Sequence, residues 1–114
     1  TVHYRNGDPP RAMEYYSRCL DHNPEAVLCL SYLGGLQWLD GDYATAANNL
    51  QRAIDLGSQD PDDFYQLGNS LASLGRCPDA IPYLRDGLSI AQANEDEARQ
   101  QRFRDALNSC GAAG

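Results

Sequence analysis

Three glycines 34 residues apart, Gly7, Gly41 and Gly75, constrain this chain more than any other feature. Five residues after each comes an alanine (Ala12, Ala46, Ala80), and thirteen after comes a large aliphatic residue (Leu20, Ile54, Leu88). A fixed period with matched small and large apolar positions marks an array of stacked units rather than one globule. Such an array buries each unit's apolar face on its neighbour. That suits 114 residues with only two Phe and one Trp.

Each unit reads as two helices. Asn23 is placed as an N-cap and Pro24 as the first helical residue, where a missing N–H costs nothing. Leu30, Leu33 and Gly34 follow at helical spacing, with Leu36 and Gln37 beside them. Gly41 ends that helix, because glycine enters the left-handed region without steric cost. Asp42 caps the next helix, whose inner face is Ala46, Leu50, Ala53 and Ile54. The plan recurs. Asp60 caps, Pro61 starts, Phe64, Leu67, Gly68 and Leu71 face inward, and Gly75 turns. Pro78 opens a helix carrying Ala80, Ile81, Leu84, Gly87 and Leu88, with Pro82 a turn inside it, where a lost hydrogen bond and a slight bend are expected. Gly34 and Gly68 are expected to face Ala46 and Ala80 across the hairpin, so that paired helices approach closely, with Leu33, Leu50, Leu67 and Leu84 filling the flanks.

This pattern resembles the tetratricopeptide repeat, with its 34-residue period of aromatic-x-x-Leu-Gly-x-x-Tyr, Ala-x-x-x-Phe and a closing proline. Phe64-x-x-Leu67-Gly68 and Leu30-x-x-Leu33-Gly34 match the first part. Ala12-x-x-x-Tyr16, Ala46-x-x-x-Leu50 and Ala80-x-x-x-Leu84 match the second, and Pro24 matches the proline. Gln37 and Leu71 stand where the family has Tyr, and Ser58 and Gln92 where it has Pro. The resemblance implies an all-α fold, a right-handed superhelical solenoid of αα-hairpins in a single domain. A partial first repeat covers 1–26, a second 27–60 and a third 61–94, followed by a capping helix over 95–110 and a tail over 111–114. In the cap, Asn94-x-x-Glu97 reads as a capping-box variant. Phe103, Ala106, Leu107 and Cys110 form one apolar stripe, the single apolar face that a terminal cap requires.

Composition excludes several roles. Sixteen acids against nine arginines, with no lysine, give a formal net charge of −7. That argues against nucleic acid, whose binding scales with cationic density, and against anionic membrane surfaces. No 18-residue apolar run is present, so no membrane span is expected. Arginine-only basic usage with abundant Ala and Gly points to a GC-rich bacterial gene.

No catalytic constellation, cofactor loop or metal set stands out. His3 and His22 lack the spacing for a metal site or a proton relay. Asp40-Gly41-Asp42 lacks the further acids of a calcium loop, and capping accounts for Asp42. The only basic cluster, Arg99, Arg102 and Arg104, has two readings. It is an anion-facing patch, or it complements the C-terminal end of its helix dipole.

Four cysteines allow three full pairings. Cys19 fills a slot held by Ala53 and Gly87 elsewhere and reads as a small buried apolar residue, though Cys29 falls close to it. Cys77 lies in an interhelix turn with no packing task, and the end of the cap helix should bring Cys110 to it. A Cys77–Cys110 disulfide is therefore expected, and it would imply an oxidising, extracytoplasmic compartment.

In the family the first helix of each hairpin builds a concave face that binds peptides or partner proteins. By resemblance its positions here are Leu28, Ser31, Gly35, Trp38 and Leu39, then Asp62, Tyr65, Asn69, Ala72 and Ser73, with Tyr4 and Arg5 in the stub. The family's chaperone-tail clamp, which needs lysines, is absent. Two functions follow as expectations. One is a protein- or peptide-binding module centred on Trp38, Tyr65, Leu39 and Asn69. The other is a structural or oligomerising segment, self-associating through the incomplete first hairpin, where Ala12, Tyr16 and Cys19 lack cover.

Overall fold

The computed structural model describes residues 9–112. Six helices occupy them: α1 (Pro9–His22), α2 (Val27–Leu39), α3 (Tyr43–Asp55), α4 (Pro61–Ser73), α5 (Cys77–Ala93) and α6 (Glu97–Ser109). Tyr4, Arg5, Gly7, His3 and the stub helix over 1–6 lie outside the described residues. The described part measures 39 × 29 × 26 Å.

The turn glycines behave as their spacing predicts. Gly41 and Gly75 take φ of 86° and 77°. In each case the next N–H reaches back to seal the helix end, Asp42 to the Gln37 carbonyl at 2.9 Å and Arg76 to Leu71 at 2.8 Å. This is the left-handed closure that favours glycine. The series continues at Gly111, with φ of 82° and an Ala112 N–H to Leu107 carbonyl bond of 2.8 Å. So α6 ends as α2 and α4 do. Its spacing is two residues longer than 34 because α5 is four residues longer than α3 while the turn that follows it is two residues shorter.

Caps are as read at Asp42 and Asp60, whose carboxylates accept from the N–H of Thr45 (3.4 Å) and of Asp62 (3.0 Å). Two others differ. Asn23 is not a cap, because its own N–H continues the last turn of α1 to the Cys19 carbonyl. Its side chain instead closes a local turn by accepting from Glu25 N–H, and α2 starts at Val27 behind an uncapped Ala26. The α6 cap is Asp96, which accepts from Arg99 N–H at 3.1 Å; Asn94 is the last residue of the α5 end. Between them Glu95 takes a left-handed φ of 56°, at the place where Gly57 takes a φ of 112° in the preceding interrepeat turn.

The hairpins close on two of the helical glycines, Gly34 and Gly68. An added Cβ on Gly34 would lie 2.7 Å from Leu50 Cγ, and one on Gly68 would lie 2.3 Å from Leu84 Cδ2. The residues that fill these notches are thus the leucines, not Ala46 and Ala80 as expected; a longer side chain one turn further along the helix uses the space better. All four are fully buried. The core continues through Phe64, Leu67, Leu71, Leu88, Ala91, Phe103 and Leu107. Helix α5 runs unbroken through Pro82. Each helix packs on the next in sequence, and α2 also touches α4, and α4 touches α6. Among the described residues the outer helices α3 and α5 make no such direct contact. Helices that touch across repeats mark the inside of a curved stack, so α2, α4 and α6 form the concave layer.

Both halves carry a covalent staple. Cys19 is bonded to Cys29 across the α1–α2 turn, with Cα atoms 6.4 Å apart. Cys19 is therefore not a plain apolar filler. Cys77 is bonded to Cys110, Cα–Cα 5.3 Å, joining the start of α5 to the end of α6. Cys77 is the first residue of α5 rather than part of a free turn.

Candidate functional site

The contact between α2 and α4 is polar at one end and aromatic at the other. At the polar end Asp63, only 3% exposed, accepts from the hydroxyl of Ser31 and, at 2.6 Å, from that of Ser58. Burial pushes the Asp63 carboxyl above its ordinary range, against the pull of both hydroxyls. One turn on, the Gln66 amide covers Gly35, where a Cβ would come 3.2 Å from Oε1. Ser31 and Gly35, expected on an open binding face, are thus engaged in holding α4 against α2.

At the other end, four of the expected site residues converge. The Trp38 indole Nε1–H donates to Asn69 Oδ1 at 2.9 Å. The same indole meets the Tyr65 ring edge-on, centroids 6.2 Å apart, and Tyr65 rests edge-on against buried Phe103 at 5.8 Å. Asn69 and Ala72 continue the surface along α4. Between α4 and α6 lies a cleft of about 180 Å³ lined by Tyr65, Asn69, Ala72, Arg102, Asp105, Ala106 and Ser109, with Gly68 and Leu84 as its floor. Leu28 and Leu39 take no part in this cleft. They stand 69% and 56% exposed on α2, together with Tyr32 at 54%.

Helix α6 contributes Asp105 and Ser109, which the sequence reading left out, and sets beside them Arg102, which that reading took only as part of a basic cluster. The missed signal is Gly111. Counting back from it, as from Gly75, brings Asp105 level with Asn69 and Ser109 level with Ser73. The cluster of three arginines is also neither of the two expected things as a unit. Arg99 sits in the first turn of α6, where the helix dipole disfavours a cation. Two carboxylates hold it there: Asp62 by a bidentate pair (2.7 and 2.8 Å) and Asp96 at 2.7 Å. Arg104 reaches Gln100 at 3.5 Å. Arg102 lies over the Tyr65 ring, 5.4 Å from its centroid.

The Arg99 network makes a pH prediction. Hydrogen bonds from Arg99 hold the Asp62 and Asp96 carboxyls below their ordinary range. A carboxyl whose folded value is depressed stabilises the fold above its unfolded value of 3.8, and loses that contribution as pH falls through the lower folded value. Stability curves of the wild type and Arg99→Ala should therefore separate above about pH 4 and converge as acid protonates both carboxyls. With Arg99 and Asp62 39% and 38% exposed, solvent screens the pairs and the gap at neutral pH should be small. Urea titrations from pH 2 to 7 measure it; parallel curves across that range would rule the network out as a source of stability.

Residues 1–61 match the tetratricopeptide repeat family model. Among solved structures the fold superposes on YrrB, a TPR protein with an unusual peptide-binding site, with a TM-score of 0.75. That match has 24% identity and covers 87% of this chain and 50% of the other. It also superposes on an O-GlcNAc transferase mutant of Thermobaculum terrenum (TM-score 0.76, 28% identity), over 90% of this chain and 19% of that one. A third match is MamA (TM-score 0.68, 21% identity), over 93% and 68%. Among curated proteins, the photosystem I assembly protein Ycf3 of Cyanophora paradoxa is 28% identical over 86 residues, 66% of this chain and 50% of that protein. The chain thus spans about half the length of the curated relative that it matches.

Proposed function

The chain belongs to the tetratricopeptide repeat family, and from that premise we propose that it is a protein-interaction module whose inner face, around Trp38, receives an extended peptide segment of a partner. The observation that carries this reading is the linked set Trp38–Asn69–Tyr65. A large indole is held by one hydrogen bond and one ring contact beside a cleft on the concave layer. Partly buried aromatic anchors of this kind dominate interface energies. The relatives agree with a binding role, since one is an assembly protein and another has a peptide-binding site. The enzyme among them shares this fold over only 19% of its length, so its chemistry does not come with the match.

Trp38 is the only tryptophan, so its emission reports its own surroundings. Random decapeptide pools that bind the inner face should shift that emission. Trp38→Ala should weaken the selected peptide by about thirtyfold, roughly 2 kcal/mol. Because Trp38 also packs against the core, Trp38→Phe is the companion variant: it keeps ring bulk but loses the N–H that holds Asn69. Weaker binding by Trp38→Phe at an unchanged melting temperature supports the groove. If Trp38→Ala lowers only the melting temperature and leaves affinity intact, Trp38 is a packing residue and the peptide reading fails.

A second reading, a structural or self-associating segment, is favoured by one observation. Leu28, Tyr32 and Leu39 form an exposed apolar line on α2, a mainly apolar helix whose Ser31 and Gln37 side chains are both hydrogen-bonded. Helices of that composition are normally covered. If self-association covers this one, sedimentation velocity should show dimers at high micromolar concentration, abolished by Leu28→Ser with Leu39→Ser. A monomer at all concentrations would remove this reading.

A further inference from the structure

We propose that the cleft between α4 and α6 is the specificity pocket of the inner face and takes the carboxylate side chain of an Asp or Glu in the bound peptide. This rests on the peptide-binding reading above and adds which residue the peptide must supply. Its size decides the scale of the occupant: about 180 Å³ holds one side chain, whereas drug-sized ligands and cofactors occupy roughly 300 Å³ or more.

The donors in the cleft decide the charge of that side chain. Arg102 forms no ion pair among the described residues, in contrast to Arg18, Arg76 and Arg99, each of which has a carboxylate. Its guanidinium carbon lies over the Tyr65 ring, 5.4 Å from the centroid. A guanidinium held by a ring rather than by a carboxylate keeps its N–H groups free for a planar acceptor such as a carboxylate. Asn69 supplies the second donor. An indole N–H can only donate, so its bond to Oδ1 fixes which end of the amide faces Trp38. The Asn69 amide nitrogen is then the end left to donate. The one acid on the cleft, Asp105, accepts from Gln101 through Oδ1 at 2.9 Å. Two free donors therefore stand against one partly engaged acceptor, and Gly68 and Leu84 keep the floor apolar, which strengthens a charge-assisted bond made above it. The chain as a whole carries −7, so long-range attraction works against an acidic peptide. Selectivity for one then has to come from Arg102 at short range.

Positional-scanning decapeptide pools, each with one position fixed as Asp, Glu, Asn, Gln or Lys, provide the test, with Trp38 emission and fluorescence polarisation as readouts. The wild type should bind Asp or Glu pools at least tenfold more tightly than Asn or Gln pools at one position. Arg102→Gln should erase that preference, Arg102→Lys should restore part of it, and Asp105→Asn, which removes the one acid on the cleft, should increase it. Arg102 and Asp105 are both exposed, so melting temperatures of all three variants should match the wild type. Binding with no acidic preference overturns this proposal alone, as does a preference for Lys or one that survives Arg102→Gln. Failure of every pool to bind overturns the peptide-binding reading and this proposal with it.

Discussion

Phe103→Ala should lower the stability of the chain by about 3–5 kcal/mol, the cost of deleting a buried aromatic side chain and leaving its cavity. Phe103 is 1% exposed. Its ring occupies the space that a side chain on Gly87 would need, since a Cβ there would lie 2.3 Å from the ring, and it supports the Tyr65 ring from below. The loss should also be uneven. In a stack each helix pair contacts only its neighbours, so the damage is confined to the end that loses the contact. Amide exchange in α6 and the C-terminal half of α5 should accelerate, while α2 and α3 keep wild-type protection. Denaturation with urea measures the total and hydrogen exchange its distribution. A loss under about 1 kcal/mol, or protection falling equally in α2, would contradict this packing.

How much of this was legible in advance depended on whether the physics was local. Gly41 and Gly75 announce their turns because no residue with a Cβ enters the left-handed region as cheaply, and Asp42 and Asp60 cap through bonds spanning two or three residues. The buried faces of α3 and α4 follow from helical periodicity alone. The tertiary choices were not legible. Asn23 and Asp96 are both good caps by type, but Asn23 is absorbed into the end of α1. Helix α5 continues to Ala93, beyond where the 34-residue period would stop it. That extension moves α6 out of register and hides the correspondence of Asp105 with Asn69. Glu95 adopts a conformation that composition assigns to glycine. Of the expected site, Trp38, Tyr65, Asn69 and Ala72 come together because they share the concave layer. Ser31 and Gly35 share it too, but packing of α4 on α2 engages them, through Asp63 and Gln66. A sequence lacking the α4 partner in view gives no sign of that.

Removal of the Cys77–Cys110 bond, by Cys77→Ser with Cys110→Ser, should cost about 3–4 kcal/mol, chiefly by freeing the unfolded chain from a closed loop of this length. The two cysteines are 33 residues apart, so the loop spans the whole of α5 and α6. The Cys19–Cys29 loop, with a separation of 10, should be worth less, about 2–3 kcal/mol. Peptide mapping without reductant should recover Cys77 linked to Cys110 and Cys19 linked to Cys29, and urea titrations of each double variant give the two losses. The first bond has a further consequence, because it closes the α5–α6 hairpin at the end opposite the turn at Asn94–Asp96, with Phe103 between. With the bond intact, Phe103→Ala loosens a helix that stays tethered at both ends. With the bond gone, α6 is held by its turn, the Arg99 carboxylate pairs and Leu107. The two changes should therefore couple, and the triple variant should show α6 exchanging at the rate of an unstructured segment and no cleft beside Tyr65. Strict additivity of the two losses, with α6 still protected in the triple variant, would mean that its docking rests on neither Phe103 nor the disulfide. Free thiols at Cys77 and Cys110 in protein prepared without reductant would remove the tether from the account altogether.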